Sequence, residues 1–131
     1  MRGANGNVNM LNANITNRSM SQTDNLSISL EDWIKRPRKE EDMREVFLNM
    51  DRAMKYVHDY NYCIKSFHPR DIELLNGESN QIRFKYLLEM PADVNEKKQY
   101  IKDDVYNSSF LQIGIYTKCL YYLKRDYLKQ N

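Results

Sequence analysis

Apolar residues recur along this chain with different rhythms, and each rhythm predicts an element. Met43, Val46, Phe47, Met50, Ala53, Met54 and Val57 follow the i, i+3, i+4, i+7 rule without a break, which predicts one amphipathic helix with its stripe packed as core. Asn49, Asp51 and Lys55 fall on its wet side. Upstream, Leu30, Trp33 and Ile34 share a face at helical spacing, and Ser29 with Asp32 resembles a capping pair, so a short helix starts there. Pro37 ends it, because the residue before a proline is pushed out of the α region. Glu40, Glu41 and Asp42 then suit the positive end of the second helix.

Further on the rhythm shortens. Ile72–Leu74 and Ile82–Tyr86 alternate apolar and polar positions around Leu75-Asn76-Gly77-Glu78-Ser79-Asn80, which predicts a hairpin with Asn-Gly turn chemistry. Leu87 to Tyr100 carries Pro91, mixed charges and no firm period, and reads as a loop. From Asp103-Asp104 to Leu123 the chain is apolar on more than one face, which predicts a buried central helix. Gly114 inside it costs about 1 kcal/mol against Ala, a cost that close packing of a neighbour would explain. YYLKRDYLKQN extends this helix as a polar end. Residues 1–27 are rich in Asn, Gly and Ser with few apolar positions, which predicts a disordered tail ahead of a folded part at 28–131. The expected class is mainly α with a small β-hairpin.

Composition narrows the function classes. A chain of 131 residues with 41% hydrophobic residues suits one soluble globular domain. A net charge of +2 with interleaved signs argues against nucleic acid as a partner. No apolar run reaches the ~18 residues of a membrane span, and the N-terminus lacks the apolar stretch of a signal peptide, so the expectation is no membrane partner and a cytoplasmic location. Cys63 and Cys119 form no C-x-x-C pair, and a reducing compartment is the default. The ten Tyr lie mostly on apolar helix faces and read as core and rim residues.

Candidate chemistry concentrates in Tyr56–Leu74, a polar loop centred on Pro69 between two apolar elements. His58, Cys63, His68 and Cys119 match no zinc-ligand spacing. Lys65, His68, Arg70 and Arg83 read as solvated charges before an anion site. Asp71 either binds a cation weakly or caps the turn after Pro69. Ser66, His68 and Asp71 lack the strand-turn-helix context of a nucleophile elbow, so acyl transfer has little support.

Read position by position, Tyr56–Leu74 resembles the eukaryotic-type protein kinase pattern Y-L-H-x-x-G-x-x-H-R-D-L-K-P-x-N-I-L-L, with Tyr56, His58, Pro69, Ile72 and Leu74 in place. Ser29-Leu30-Glu31-Asp32-Trp33-Ile34 resembles the short helix after the kinase hinge, and Asp104-Val105-Tyr106-Asn107 resembles the D-V-W/Y-S that opens the central helix of the large lobe. The resemblance covers about residues 29–124 and implies a partial kinase-like C-terminal lobe. It implies that the carboxylate of Asp104 accepts backbone hydrogen bonds from the loop, a structural role. It also places Ser66 at the catalytic base, His68 at the following lysine and Asp71 at the metal-binding Asn, while Tyr86-Leu87-Leu88 stands where D-F-G is required.

A serine hydroxyl is uncharged near neutral pH and does not replace a carboxylate base, and one carboxylate alone makes a weak Mg²⁺ site. The implied function is that of a non-catalytic pseudokinase: an interaction or regulatory module without cofactor or metal, and not an enzyme. The alternative is a truncated piece of a kinase-related protein, transferring phosphate only if another chain completes it. Either way the expected partner is another protein, or a second copy, held through uncovered apolar faces.

Overall fold

The computed structural model describes residues 26–78 and 81–130. The tail expected over residues 1–27 therefore lies, as far as residue 25, outside the described residues, as do Ser79 and Asn80 of the turn. What is described is mainly α-helical with minor β content: α1 (Leu30–Trp33), α2 (Glu40–Asp59) and α3 (Val94–Gln130), with strands β1 (Ile28–Ser29), β2 (Tyr62–Ile64), β3 (Ile72–Leu74), β4 (Ile82–Phe84) and β5 (Leu87–Glu89).

α1 begins where a polar side chain can serve its orphan amides: Ser29 Oγ accepts from Asp32 N at 3.0 Å. Arg38 then folds back over it, with its Nε donating to Trp33 O at 2.9 Å and its guanidinium 4.4 Å from the Trp33 ring centre. α2 buries Met43, Val46, Met50, Ala53, Met54 and Val57, so the methionine stripe is core. The helix ends at Asp59 with Tyr60 as its C-cap, and Asn61 just beyond takes φ 70°, the left-handed conformation that Asn tolerates better than most side chains at a helix end.

The strands form two small antiparallel sheets. One has the order β1-β3-β4 and the other pairs β2 with β5. The β3–β4 hairpin sets Ile72 against Phe84, Glu73 against Arg83 and Leu74 against Ile82. Ile72, Leu74, Ile82 and Phe84 all face inward and join the core with Leu30, Met50 and Val57. Glu73 and Arg83 face out and pair, Arg83 Nε lying 3.0 Å from Glu73 Oε1.

The segment 87–100, expected as a loop, is structured at both ends. Leu87–Glu89 pairs with Tyr62–Ile64, and Lys65 N donating to Tyr86 O at 2.9 Å continues the ladder. Three residues are too few to show a period, so only the partner strand defines this one. α3 starts at Val94, nine positions earlier than Asp103. Its first turn is capped by Asp93, whose Oδ2 accepts from Glu96 N at 2.9 Å. The turns up to Tyr100 expose most side chains, so they carry helix-favouring residues with no apolar stripe.

α3 also departs from the buried central helix that its composition predicts. Asp104, Ser108, Ile115 and Cys119 are buried against the body of the fold, with Gln112 Nε2 donating to Asp51 Oδ1 on α2 at 3.0 Å. The opposite face is exposed, including Tyr106, Phe110, Ile113 and Tyr121. Being apolar on two faces here means one face on the core and one outside. Gly114 is not explained by close packing, because a Cβ built there meets nothing within 4 Å. None of the ten Tyr is buried, so they are rim and surface residues and not core.

Candidate functional site

The C-terminal end of α2, strand β2 and the first half of α3 converge on one polar centre. Its middle is Asp104, only 4% exposed. Asp104 Oδ2 accepts from Ile64 N at 3.0 Å and lies 2.7 Å from His58 Nε2. An ionised carboxylate can only accept, so His58 Nε2 carries the proton of that bond. A buried carboxylate with two donors is satisfied in the way burial demands. It ties α3, the C-terminal end of α2 and strand β2 together through a single oxygen.

The neighbouring Cys63 is buried, and its thiol is pushed up to about 11, first by burial and then by the negative charge of Asp104. Burial also raises the Cys119 thiol. Both cysteines are free, and neither is a thiolate near neutral pH, so neither is a ready nucleophile.

The loop residues form a second, more exposed cluster. Ser66 Oγ donates to Asp71 Oδ2 at 2.6 Å and accepts from His68 N at 3.3 Å. His68 Nδ1 accepts from Arg70 N at 3.1 Å, so His68, and not Asp71, caps the turn Pro69–Asp71. Asp71 is built into the fold through its backbone as well, its N donating to His68 O at 2.8 Å and its O accepting from Lys85 N at 2.9 Å. Ser66, His68 and Asp71 are thus brought together, but each polar atom named here is spent on another member or on the backbone. Asp104 belongs to the separate, buried centre. Arg83 pairs with Glu73 on the hairpin and does not join Lys65, His68 and Arg70.

Among the described residues, no group of three or more His, Cys, Asp or Glu is placed to hold a metal ion. No described helix is long and apolar enough to cross a membrane. Beside the loop lies an open apolar groove of about 390 Å³, lined by Ile34, Phe67, Pro69, Phe110, Gly114 and Lys118 among others. The open space at Gly114 belongs to this groove. Its outer wall continues onto the exposed face of α3, an apolar surface of the kind through which proteins associate. This face was hidden from sequence reasoning by the assumption that a helix apolar all round is covered all round. The spacing of Asp104, Ser108, Ile115 and Cys119 was the signal that could have divided the two faces.

No protein-family model, curated protein or solved structure matches this chain.

Proposed function

We propose that this chain is a non-catalytic interaction module with a kinase-like arrangement of loop and central helix. The observation that carries the reading is the state of the loop. Ser66, aligned with the catalytic base of the kinase pattern, donates a hydrogen bond to Asp71 Oδ2 at 2.6 Å, so the group aligned with the base is tied to one oxygen of the group aligned with the metal ligand. Such a pair holds a loop in shape and puts a hydroxyl, not a carboxylate, at the position of the base. Leu87 and Leu88, aligned with two positions of D-F-G, are in or beside strand pairing with β2 and supply no carboxylate.

Support for the kinase-like part comes from the scaffold residues. Asp104 accepts from the backbone N–H of Ile64 and from His58, the role the resemblance assigns to it. Asn61, aligned with the glycine of the pattern, has φ 70°, a conformation that glycine adopts without cost. With phosphoryl transfer unsupported, the feature left to act is the apolar outer face of α3, and the module works by presenting it to another protein chain.

Thermal unfolding with and without ATP and Mg²⁺ tests the non-catalytic part. A ligand that binds only the folded state must raise the midpoint. The expected result is no shift at millimolar nucleotide. A rise of several degrees, on the order of that produced by 1–2 kcal/mol in a chain of this size, would overturn the reading.

A further inference from the structure

We infer that the exposed face of α3 is an isologous interface, and that its occupant is the same face of a second copy running antiparallel. This rests on the reading of α3 as the presenting surface and names what it binds. Two observations carry it.

The first is the spacing of the face. Tyr106, Phe110, Ile113, Thr117, Tyr121, Lys124 and Leu128 are separated by 4, 3, 4, 4, 3 and 4 residues. Steps of 3 and 4 keep them on one strip of the helix, roughly opposite the buried strip of Asp104, Ser108, Ile115 and Cys119. The order of steps reads the same in both directions from Thr117. A two-fold axis at Thr117 therefore sets Tyr106 beside Leu128 of the second copy, Phe110 beside its Lys124 and Ile113 beside its Tyr121. Every facing pair is apolar on apolar, except Phe110 with Lys124, where a cation meets an aromatic ring. Thr117 faces itself on the axis, and its Oγ1 already donates to Ile113 O at 2.9 Å, so it brings no unpaired donor into the seam. Self-complementarity of this kind is what a two-fold interface requires. Antiparallel packing also opposes the two helix dipoles favourably.

The second is area. Tyr106, Phe110, Ile113, Tyr121 and Leu128 are each 58–65% exposed. With an aromatic side chain at about 200 Å², and Leu120 and Tyr127 flanking the strip, the face amounts to roughly 800 Å² per copy, what each partner gives in a standard interface. The span from Tyr106 to Leu128 is about 33 Å at the helical rise, three heptads long.

Sedimentation of the full 131-residue chain between about 1 and 100 µM, the weaker end of standard interfaces, reads the outcome. The expected species at the upper end has twice the 15.7 kDa chain mass. Ile113→Glu with Tyr121→Glu should raise the dimer dissociation constant by ~100-fold or more, with circular dichroism and the melting point of dilute protein unchanged, since both side chains lie outside the core. Thr117→Cys should oxidise to a covalent dimer much faster than Asp103→Cys, which lies far from the axis. A single-chain mass over the whole range overturns the inference, as does a dimer indifferent to the double substitution. A dimer that Thr117→Cys does not cross-link overturns the antiparallel register. Nucleotide takes no part in these measurements, so failure here and failure of the non-catalytic reading are separate results.

Discussion

Replacing Asp104 tests the tie of α3 to α2 and β2 more directly than any other change. One oxygen of Asp104 holds Ile64 N at 3.0 Å and His58 Nε2 at 2.7 Å. Asp104→Ala leaves the buried Ile64 N–H without an acceptor, which costs about 1–3 kcal/mol, and the His58 ring N–H without its charged partner, which costs a similar amount. Relief of the carboxylate's own desolvation offsets part of this, so the net loss is ~2–4 kcal/mol. Asp104→Asn keeps an oxygen able to accept both bonds but loses the charge and puts an amide NH₂ in place of the second oxygen, so it should cost less than Asp104→Ala, about 1–2 kcal/mol. The chain has a single Trp, and Trp33 is buried, so urea unfolding followed by its fluorescence reads both variants. At ~1–3 kcal/mol per molar urea, the alanine variant should lower the midpoint by about 1 M or more. His58→Ala alone and with Asp104→Ala closes a double-mutant cycle, for which a coupling of ~1–2 kcal/mol is expected. An unchanged midpoint for Asp104→Ala, or strict additivity with His58→Ala, would refute the proposition that this carboxylate docks α3.

Three further changes probe other parts of the fold. Met50→Ala, in the centre of the α2 stripe and fully buried, should cost ~2–5 kcal/mol by urea unfolding, whereas exposed Leu48→Ala on the same helix should stay within about 0.5 kcal/mol. Gly114→Ala meets open space, so the gain in helix propensity should raise stability by about 0.5–1 kcal/mol; a loss would mean that something packs there. The thiol of Cys63 is pushed from 9.0 to about 11 in the folded chain, so between those values the unfolded chain gives up a proton that the folded chain keeps. Its contribution is complete below pH 9 and is lost as pH rises towards 11. Urea midpoints on either side of that window should fall less for Cys63→Ala than for the parent chain.

Much of the fold was legible because it follows from local rules. The α2 stripe, the Ser29 cap and the pairing of Ile72–Leu74 with Ile82–Phe84 each depend on residues close in sequence, and each stands in the structure. The loop residues were legible in type and not in arrangement. Ser66 and Asp71 are five apart, and only the turn through Pro69–Asp71 brings their oxygens together. β5 was invisible because three residues become a strand only when Tyr62–Ile64 lies alongside.

What the sequence determined alone is the set of elements whose signals are periodic or capped: a methionine-striped helix, a short capped helix ahead of it, a hairpin, and a long helix apolar on two sides. Tertiary structure decided which side of that last helix is core. Asp104 anchors one face, through a hydrogen bond spanning 40 residues, and that single choice of rotation leaves Tyr106, Phe110, Ile113 and Tyr121 outside. Hydrophobic burial is non-directional and would accept either face. Directional, buried hydrogen bonds to Ile64 and His58 select one of them.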